Sequence, residues 1–177
     1  MQSLINQVKA NIKEHKMFTP SEKVAVAASG GKDSIALIRI LKKLGYEVVA
    51  LSVDNGIGSY SKEDTKNLRK VCDELGIELK VYTFKEFFGK GVDELKLNNP
   101  CPICAAQIKR IISHKALALG FNKVVLGHNR DDRLNMPRKQ GNVEIVMPMY
   151  NIPESEIADL GIEQVHCPYK NKYRELF

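Results

Sequence analysis

The sequence predicts an α/β fold: a doubly wound, mainly parallel, Rossmann-like sheet of five strands with helices on both faces. Three observations predict it. Short runs rich in valine and isoleucine alternate with segments whose apolar residues recur every three or four positions. The runs KVAVAAS and EVVALSV are apolar almost throughout, as strands covered on both faces are. Glycines stand where the helical segments should end.

Taken in order, Leu4, Ile5, Val8 and Ile12 mark an N-terminal helix by their 3.6 spacing. Lys23–Ser29 is the first strand. Ser34–Leu44 repeats apolar residues at Ile35, Leu37, Ile38, Leu41 and Leu44, and Gly45 closes it. Glu47–Val53 is the second strand. Ser61 opens an S-x-x-D box with Asp64 at its third helical position, ahead of a helix through Leu75 that Gly76 ends. Ile77–Phe84 is the third strand. Pro102 suits the first turn of a helix running to Leu119, closed by Gly120. Asn122–Gly127 and Val143–Met147 are the fourth and fifth strands, and Glu154–Leu160 is a last short helix. Crossovers of one hand join such strands, and ligands bind beyond their carboxyl ends.

The 177 residues suffice for one domain and are short for two. Hydrophobic residues at 44% and charged residues at 27% exclude a disordered tail, a collagen-like rod and a membrane bundle. No apolar run approaches the roughly 18 residues of a membrane span. The stretch MQSLINQVKANIKEHK lacks a signal-peptide core, so a cytoplasmic location with no membrane contact is expected. Four cysteines are too few for a disulfide scaffold, and in a reducing compartment they point to metal binding or catalysis. The net charge of +6 is unevenly placed. From Ala105 to Gln140 eight basic residues (Lys109, Arg110, Lys115, Lys123, Arg130, Arg133, Arg138, Lys139) face only Asp131 and Asp132. A local basic face points to a polyanion, either nucleotide or RNA.

Ser29-Gly30-Gly31-Lys32-Asp33-Ser34 joins the first strand to the next helix. Two glycines let the backbone turn tightly against a ligand. The free N–H groups of the helix's first turn suit an anion, and Lys32 adds a cation. Asp33 would repel phosphate directly, so its natural role is to hold Mg²⁺ against phosphate oxygens. The segment is not the P-loop of GTPases, which requires glycine where Val26 stands and Ser or Thr where Asp33 stands. Asp54 ends the second strand and has two readings, a Mg²⁺ or proton acceptor and an Asx turn with Asn55 and Gly56. Asp131 and Asp132 have two readings, a contact with metal-bound phosphate and a helix cap.

Cys101 and Cys104 fall in a helix's first turn, where the dipole and basic neighbours favour thiolate. Their spacing lets both bind one metal or cluster, with Cys167 as a third ligand. Three thiolates on a four-iron cluster leave one iron open. The rivals are a zinc site of Cys101, Cys104, Cys167 and His166, a redox or persulfide pair of Cys101 and Cys104, and purely structural thiols. Cys72, with Leu68 and Leu75, reads as a core residue. His15 and His114 carry no signal.

SGGKDS resembles the signature of the PP-loop ATP pyrophosphatases, which have the adenine-nucleotide alpha-hydrolase fold. Leu126-Gly127-His128-Asn129-Arg130-Asp131-Asp132 resembles the GHNxDD element of the branch that thiolates tRNA, the 2-thiocytidine and 2-thiouridine synthetases. Val53-Asp54-Asn55-Gly56-Ile57-Gly58-Ser59-Tyr60-Ser61 resembles its D-x-G-I-x-x-Y-S loop. Cys101-Pro102-Ile103-Cys104 with Lys109-Arg110, and Cys167-Pro168-Tyr169, resemble its cysteine elements. The resemblance implies cleavage of ATP between the α and β phosphates and adenylation of a substrate oxygen. It further implies a [4Fe–4S] cluster on Cys101, Cys104 and Cys167 that carries the incoming sulfur. By that implication Ser29, Gly30, Gly31, Lys32, Asp33, Ser34, Val53, Gly127, His128, Asp131 and Asp132 bind nucleotide, and Asp33 binds magnesium.

Asp54, Lys32 and Lys109 are the catalytic candidates. Ile108 occupies the position four after the second cysteine where a basic residue is expected, and Lys109 follows it. A single domain over 1–177 is expected: an N-terminal helix in 1–20, a nucleotide-binding core over 21–150 and a short segment over 151–177 that carries the third cysteine. Only ten residues run from Leu134 to Val143, and eight follow Tyr169, so the tRNA-gripping part is expected to be pared down. The partners expected are ATP, tRNA or other RNA through 105–140, an unnamed sulfur donor, and a second copy in a homodimer. Two alternatives stand beside this reading. One is the same ATP chemistry on a small-molecule or carrier-protein acceptor, and the other is a nucleotide- or cluster-binding module without turnover.

Overall fold

A computed structural model describes residues 1–132, 138–158, 160–162 and 166–169. Its helices are α1 (Gln2–Glu14), α2 (Lys32–Lys43), α3 (Gly58–Leu75), α4 (Phe84–Phe88), α5 (Cys101–Ala118) and α6 (Glu154–Ala158). Its strands are β1 (Lys23–Ala27), β2 (Glu47–Asp54), β3 (Glu78–Thr83), β4 (Lys123–Leu126), β5 (Arg138–Gln140) and β6 (Val143–Val146). They form one sheet in the order β3-β2-β1-β4-β6-β5. The five expected strands are all parallel, with Val26 opposite both Ala50 and Val125.

The sixth strand is a correction. β5 pairs antiparallel with β6 through a two-residue turn in which Gly141 takes a left-handed φ of 59°. Its sequence, Arg-Lys-Gln, has no apolar pattern to announce it.

Alternation along β1 divides the core between the two faces. Val24 and Val26 pack with Leu37, Leu41, Leu68 and Cys72 beneath α1, α2, α3 and α6. Ala25 packs with Val49, Leu51, Ile112 and Ala116 beneath α5. Leu4, Ile5, Val8 and Ile12 all lie buried on α1 as their spacing predicts. Leu37 is fully enclosed, so Leu37→Ala is expected to cost about 2–5 kcal/mol in urea unfolding. A loss below about 1 kcal/mol would contradict that packing.

Two helix expectations fail for local reasons. α3 begins at Gly58, three residues before Ser61. The Ser61 hydroxyl is buried one turn inside, where it accepts the Ile57 N–H at 2.9 Å and donates to Asn55 Oδ1. It therefore locks the loop before the helix instead of capping the residues after it. α4 was unforeseen, although Thr83 and Glu86 form a complete capping box at its start. Among the described residues no helix is long and apolar enough to cross a membrane.

Candidate active site

The strand order reverses between β1 and β4, and the loops leaving those two strands face each other across that point, where open α/β sheets bind ligands. Two glycines set how closely the loops approach. Gly30 has φ +79°, and a Cβ there would fall 2.6 Å from the Asp64 carboxylate and 2.7 Å from the Asp64 carbonyl oxygen. Gly127, after β4, lies so close to the start of α2 that a Cβ would sit 3.0 Å from the Asp33 carbonyl group. Gly31 precedes the first residue of α2, and the Ser34 hydroxyl donates to its carbonyl at 2.9 Å. The Ser29 hydroxyl accepts the Gly31 N–H at 3.3 Å.

Charges at this point are interlocked. The Lys32 side chain is only 14% exposed, and its ammonium donates to Asp33 at 3.0 Å and to Glu154 on α6. Burial alone would lower the Lys32 pKa, but the hydrogen bonds and charges of Glu154 and Asp33 outweigh it and raise it. Burial also raises the Asp33 carboxyl, and the charges of Glu154 and Asp132 add to that against the opposing effect of Lys32. Asn129, buried, ties the two loops together. Its amide donates to Asp33 at 3.3 Å, its N–H donates to Asp132 at 2.8 Å, and its side-chain oxygen accepts the Asp131 N–H at 2.8 Å. Asp131 in turn accepts the Glu154 N–H at 2.6 Å. Both Asp131 and Asp132 therefore organise backbone, and Asp132 also faces the cavity described next.

A cavity of about 370 Å³ opens between the phosphate loop, α3 and α5. Of the nucleotide candidates, Ser29, Asp33, Ser34, Val53, Gly127, His128 and Asp132 line it, as does the catalytic candidate Lys109. Gly30, Gly31, Lys32 and Asp131 are not among its lining residues. Asp54 takes the alternative open to it: its carboxylate accepts the Gly56 N–H at 2.9 Å in an Asx turn, while its neighbours Val53 and Asn55 line the cavity. Three lining or clamping residues were not singled out from sequence. Tyr60 and Asp64 reach the cavity from α3, one turn apart, and Glu154 closes on Lys32. Asp64 looked like a capping residue, and Glu154 lies 122 positions from its partner. Burial pushes the Asp64 carboxyl up to about 7. The only sequence signal for Tyr60 was its place in the D-x-G-I-x-x-Y-S loop.

Beside the cavity, Cys104 and Cys167 pack with Tyr60 and Tyr169 against Ile57, Phe84, Val92 and Ile111. Asn55 donates to Cys104 Sγ at 3.4 Å, and the Tyr169 hydroxyl donates to Asp93 at 2.8 Å, pinning the chain beside Cys167. Cys101 lies within electrostatic reach of both other thiols. The expected lowering of the thiol pKa values is not observed. Burial pushes Cys104 up to about 11 despite the Asn55 hydrogen bond, and burial and Cys167 push Cys101 up as well. Among the described residues no three His, Cys, Asp or Glu side chains close around a single metal ion. Cys104 and Cys167 share one apolar patch and Cys101 stands in the same first turn of α5 as Cys104, so the thiols present are soft ligands of the kind an iron–sulfur cluster takes, while His166 is exposed.

The basic stretch divides. Lys115 stacks over Tyr82 and Phe87, and Lys123 donates to the Met17 carbonyl at 2.8 Å, so both serve the fold. Lys109 and Lys139 border a second, apolar cavity of about 250 Å³ that adjoins the first beneath α5. Arg133 lies outside the described residues.

Comparison with known proteins matches residues 2–137 to the PP-loop domain family. The chain is similar to the tRNA-5-methyluridine(54) 2-sulfurtransferase of Thermus thermophilus, with 36% identity over 93% of this chain and 60% of that protein. It is similar to the protein of the same name from Pyrococcus horikoshii, with 30% identity over 92% of this chain and 61% of that protein. It spans about three fifths of the length of these curated relatives. Its fold is that of the U34-tRNA thiolase NcsA from Methanococcus maripaludis, solved with its [4Fe-4S] cluster, at a TM-score of 0.77 and 24% identity over 94% of this chain and 67% of that one.

Proposed function

The chain belongs to the PP-loop domain family, and from that premise we propose that it is an ATP-dependent sulfurtransferase acting on tRNA. It adenylates a carbonyl oxygen of a base, releases pyrophosphate, and replaces the adenylated oxygen by sulfur. One observation carries the reading: Tyr60 and Asn55, which line the cavity beside the phosphate loop, also reach the cysteine patch, Tyr60 packing in the cluster that holds Cys104 and Cys167 and Asn55 donating to Cys104. The relatives named as tRNA sulfurtransferases support the same acceptor.

In this reading the N–H groups of Ser29–Ser34 at the start of α2 hold the β and γ phosphates, and Lys32 exchanges Glu154 for phosphate oxygen. Asp33 and Asp132 would hold Mg²⁺, which when bound would supply positive charge at the phosphates. Val53 and the backbone at the end of β2 hold adenine. His128 and Gly127 close the phosphate end, and Lys109 enters from α5 toward the charge that develops on the α-phosphate. Cys101, Cys104 and Cys167 hold a [4Fe–4S] cluster, which when bound supplies an iron open to sulfide. Adenylation makes a poor leaving oxygen a good one, so a weak sulfur nucleophile suffices. Lys109, Lys139 and their basic neighbours guide RNA phosphates by charge. The reaction is placed in the cytoplasm, where thiols stay reduced.

The test is anaerobic purification, quantitation of iron, zinc and acid-labile sulfide, and pyrophosphate release in the presence of tRNA. Iron and sulfide in the protein with tRNA-stimulated pyrophosphate release is the expected result. A protein that holds neither metal nor sulfide and releases no pyrophosphate with any tRNA overturns the proposal. AMP formation indifferent to tRNA would instead assign a small-molecule or carrier-protein acceptor.

A further inference from the structure

We infer that Asp64 is the catalytic base that takes the N–H proton of the acceptor base while the adjacent carbonyl oxygen is adenylated, an inference that rests on the reading above. Three carboxylates line the cavity among the described residues: Asp33, Asp64 and Asp132. Asp33 accepts hydrogen bonds from Lys32 and Asn129, and Asp132 accepts one from the Asn129 N–H. Asp64 accepts none from any described residue, and burial is the only influence on its carboxyl. A half-buried carboxylate that faces a cavity with no donor on it has its lone pairs available for a ligand.

Its place fits the chemistry. Asp64 lies against Gly30 of the phosphate loop, and one turn earlier on α3 Tyr60 reaches the patch that holds Cys104 and Cys167. The reacting carbonyl must sit between those two regions, because its carbon is first bonded through oxygen to the α-phosphorus and then to sulfur. The titratable groups facing Asp64 across the cavity are Tyr60 on its own helix, Asp33 at the start of α2, Lys109 on α5, and His128 and Asp132 beyond β4. None of these is in hydrogen-bond contact with it. A carboxyl held near neutrality by burial is matched to proton transfer at physiological pH.

The step balances as follows. The carbonyl oxygen attacks the α-phosphorus, and the bond from that phosphorus to the pyrophosphate oxygen breaks. The N–H electron pair becomes a C=N bond, and the proton passes to an Asp64 oxygen and from there to solvent. The products are an O-adenylated imidate, pyrophosphate and one proton. Only a base with N–H beside the carbonyl needs such an acceptor. The inference therefore selects a uracil-type base over a cytosine-type base, whose ring nitrogen carries no hydrogen.

The experiment compares the native chain with Asp64→Asn, both purified anaerobically, with a tRNA transcript as acceptor. In Asp64→Asn, tRNA-dependent pyrophosphate release should fall by about 10²–10⁴-fold, the range for losing a positioned base. ATP affinity should be little changed. In the native chain the rate should fall as pH drops below about 7, because protonated Asp64 accepts nothing, and the acid limb should be absent from the variant. A transcript methylated on the ring nitrogen beside the target carbonyl should be inert. Thermal stability of Asp64→Asn at pH 8 should equal or exceed that of the native chain, since a half-buried charge has been removed.

An active native chain whose Asp64→Asn variant keeps its rate and its acid limb overturns this assignment alone. So does full recovery of the variant at high Mg²⁺, which would make Asp64 a metal ligand, and so does a fall in its thermal stability. A native chain that releases no pyrophosphate with any tRNA overturns the underlying reading and this assignment with it.

Discussion

Gly30→Ala is expected to weaken ATP binding about a hundredfold, or near 2.7 kcal/mol. At φ +79° an L side chain alone costs about 1–2 kcal/mol. The new Cβ would also meet the Asp64 carbonyl oxygen at 2.7 Å, and that oxygen belongs to helix backbone that cannot rotate away. The loop must therefore shift, and its N–H groups lose their common aim at a phosphate. Titration calorimetry with ATP checks the affinity, and urea unfolding separates it from stability. An affinity close to that of the native chain would show that phosphate binds elsewhere. Gly76→Ala is the matching control. Gly76 also has a positive φ, at the end of α3, but nothing lies within 4 Å of its Cβ position, so the change should cost stability and leave ATP binding alone.

The contrast between Asp54 and Asp64 shows what could be read from the sequence alone. The phosphate loop, the GHNxDD loop and the three cysteines were legible because each is a local string whose chemistry depends on spacing within a few residues. The parallel strands were legible for a similar reason, since strands covered on both faces must be apolar without alternation. Asp54 drew attention as a carboxylate at a strand end, yet the Gly56 N–H two residues on satisfies it locally. Asp64 resembled a capping residue, and its chemical interest arises from tertiary packing, as Gly30 and the cavity wall strip it of water. Glu154 belongs with Asp64: its link to Lys32 joins residues 122 apart, and no window along the chain contains both. The thiol expectation failed in the same way, because the helix dipole is local while the apolar patch around Cys104 is assembled from β3, α3, α5 and the segment near Cys167.

The second large effect concerns those thiols. Cys104→Ser is expected to reduce sulfur transfer to tRNA at least about a thousandfold, or roughly 4 kcal/mol, while tRNA-dependent pyrophosphate release is little changed. Cys104 and Cys167 lie in a patch beside the cavity, reached from it by Tyr60 and Asn55, whereas the phosphate loop lines the cavity itself. Adenylation therefore has no need of Cys104. A serine oxygen is a hard ligand and a poor substitute for a soft thiolate on iron, so iron content should fall with the activity. Cys101→Ser and Cys167→Ser should behave alike if, as proposed, the three thiols hold the cluster jointly. Cys72→Ser is the control: Cys72, on α3, is fully enclosed in the core, and its replacement should lower stability in urea without touching thiolation. Mass measurement of thiolated tRNA, iron analysis and pyrophosphate release on the same preparations distinguish the possibilities. Sulfur transfer that survives in Cys104→Ser but disappears in Cys101→Ser would assign the sulfur to a persulfide on one thiol. Loss of pyrophosphate release in step with thiolation would show that the cavity and the cysteine patch do not act separately.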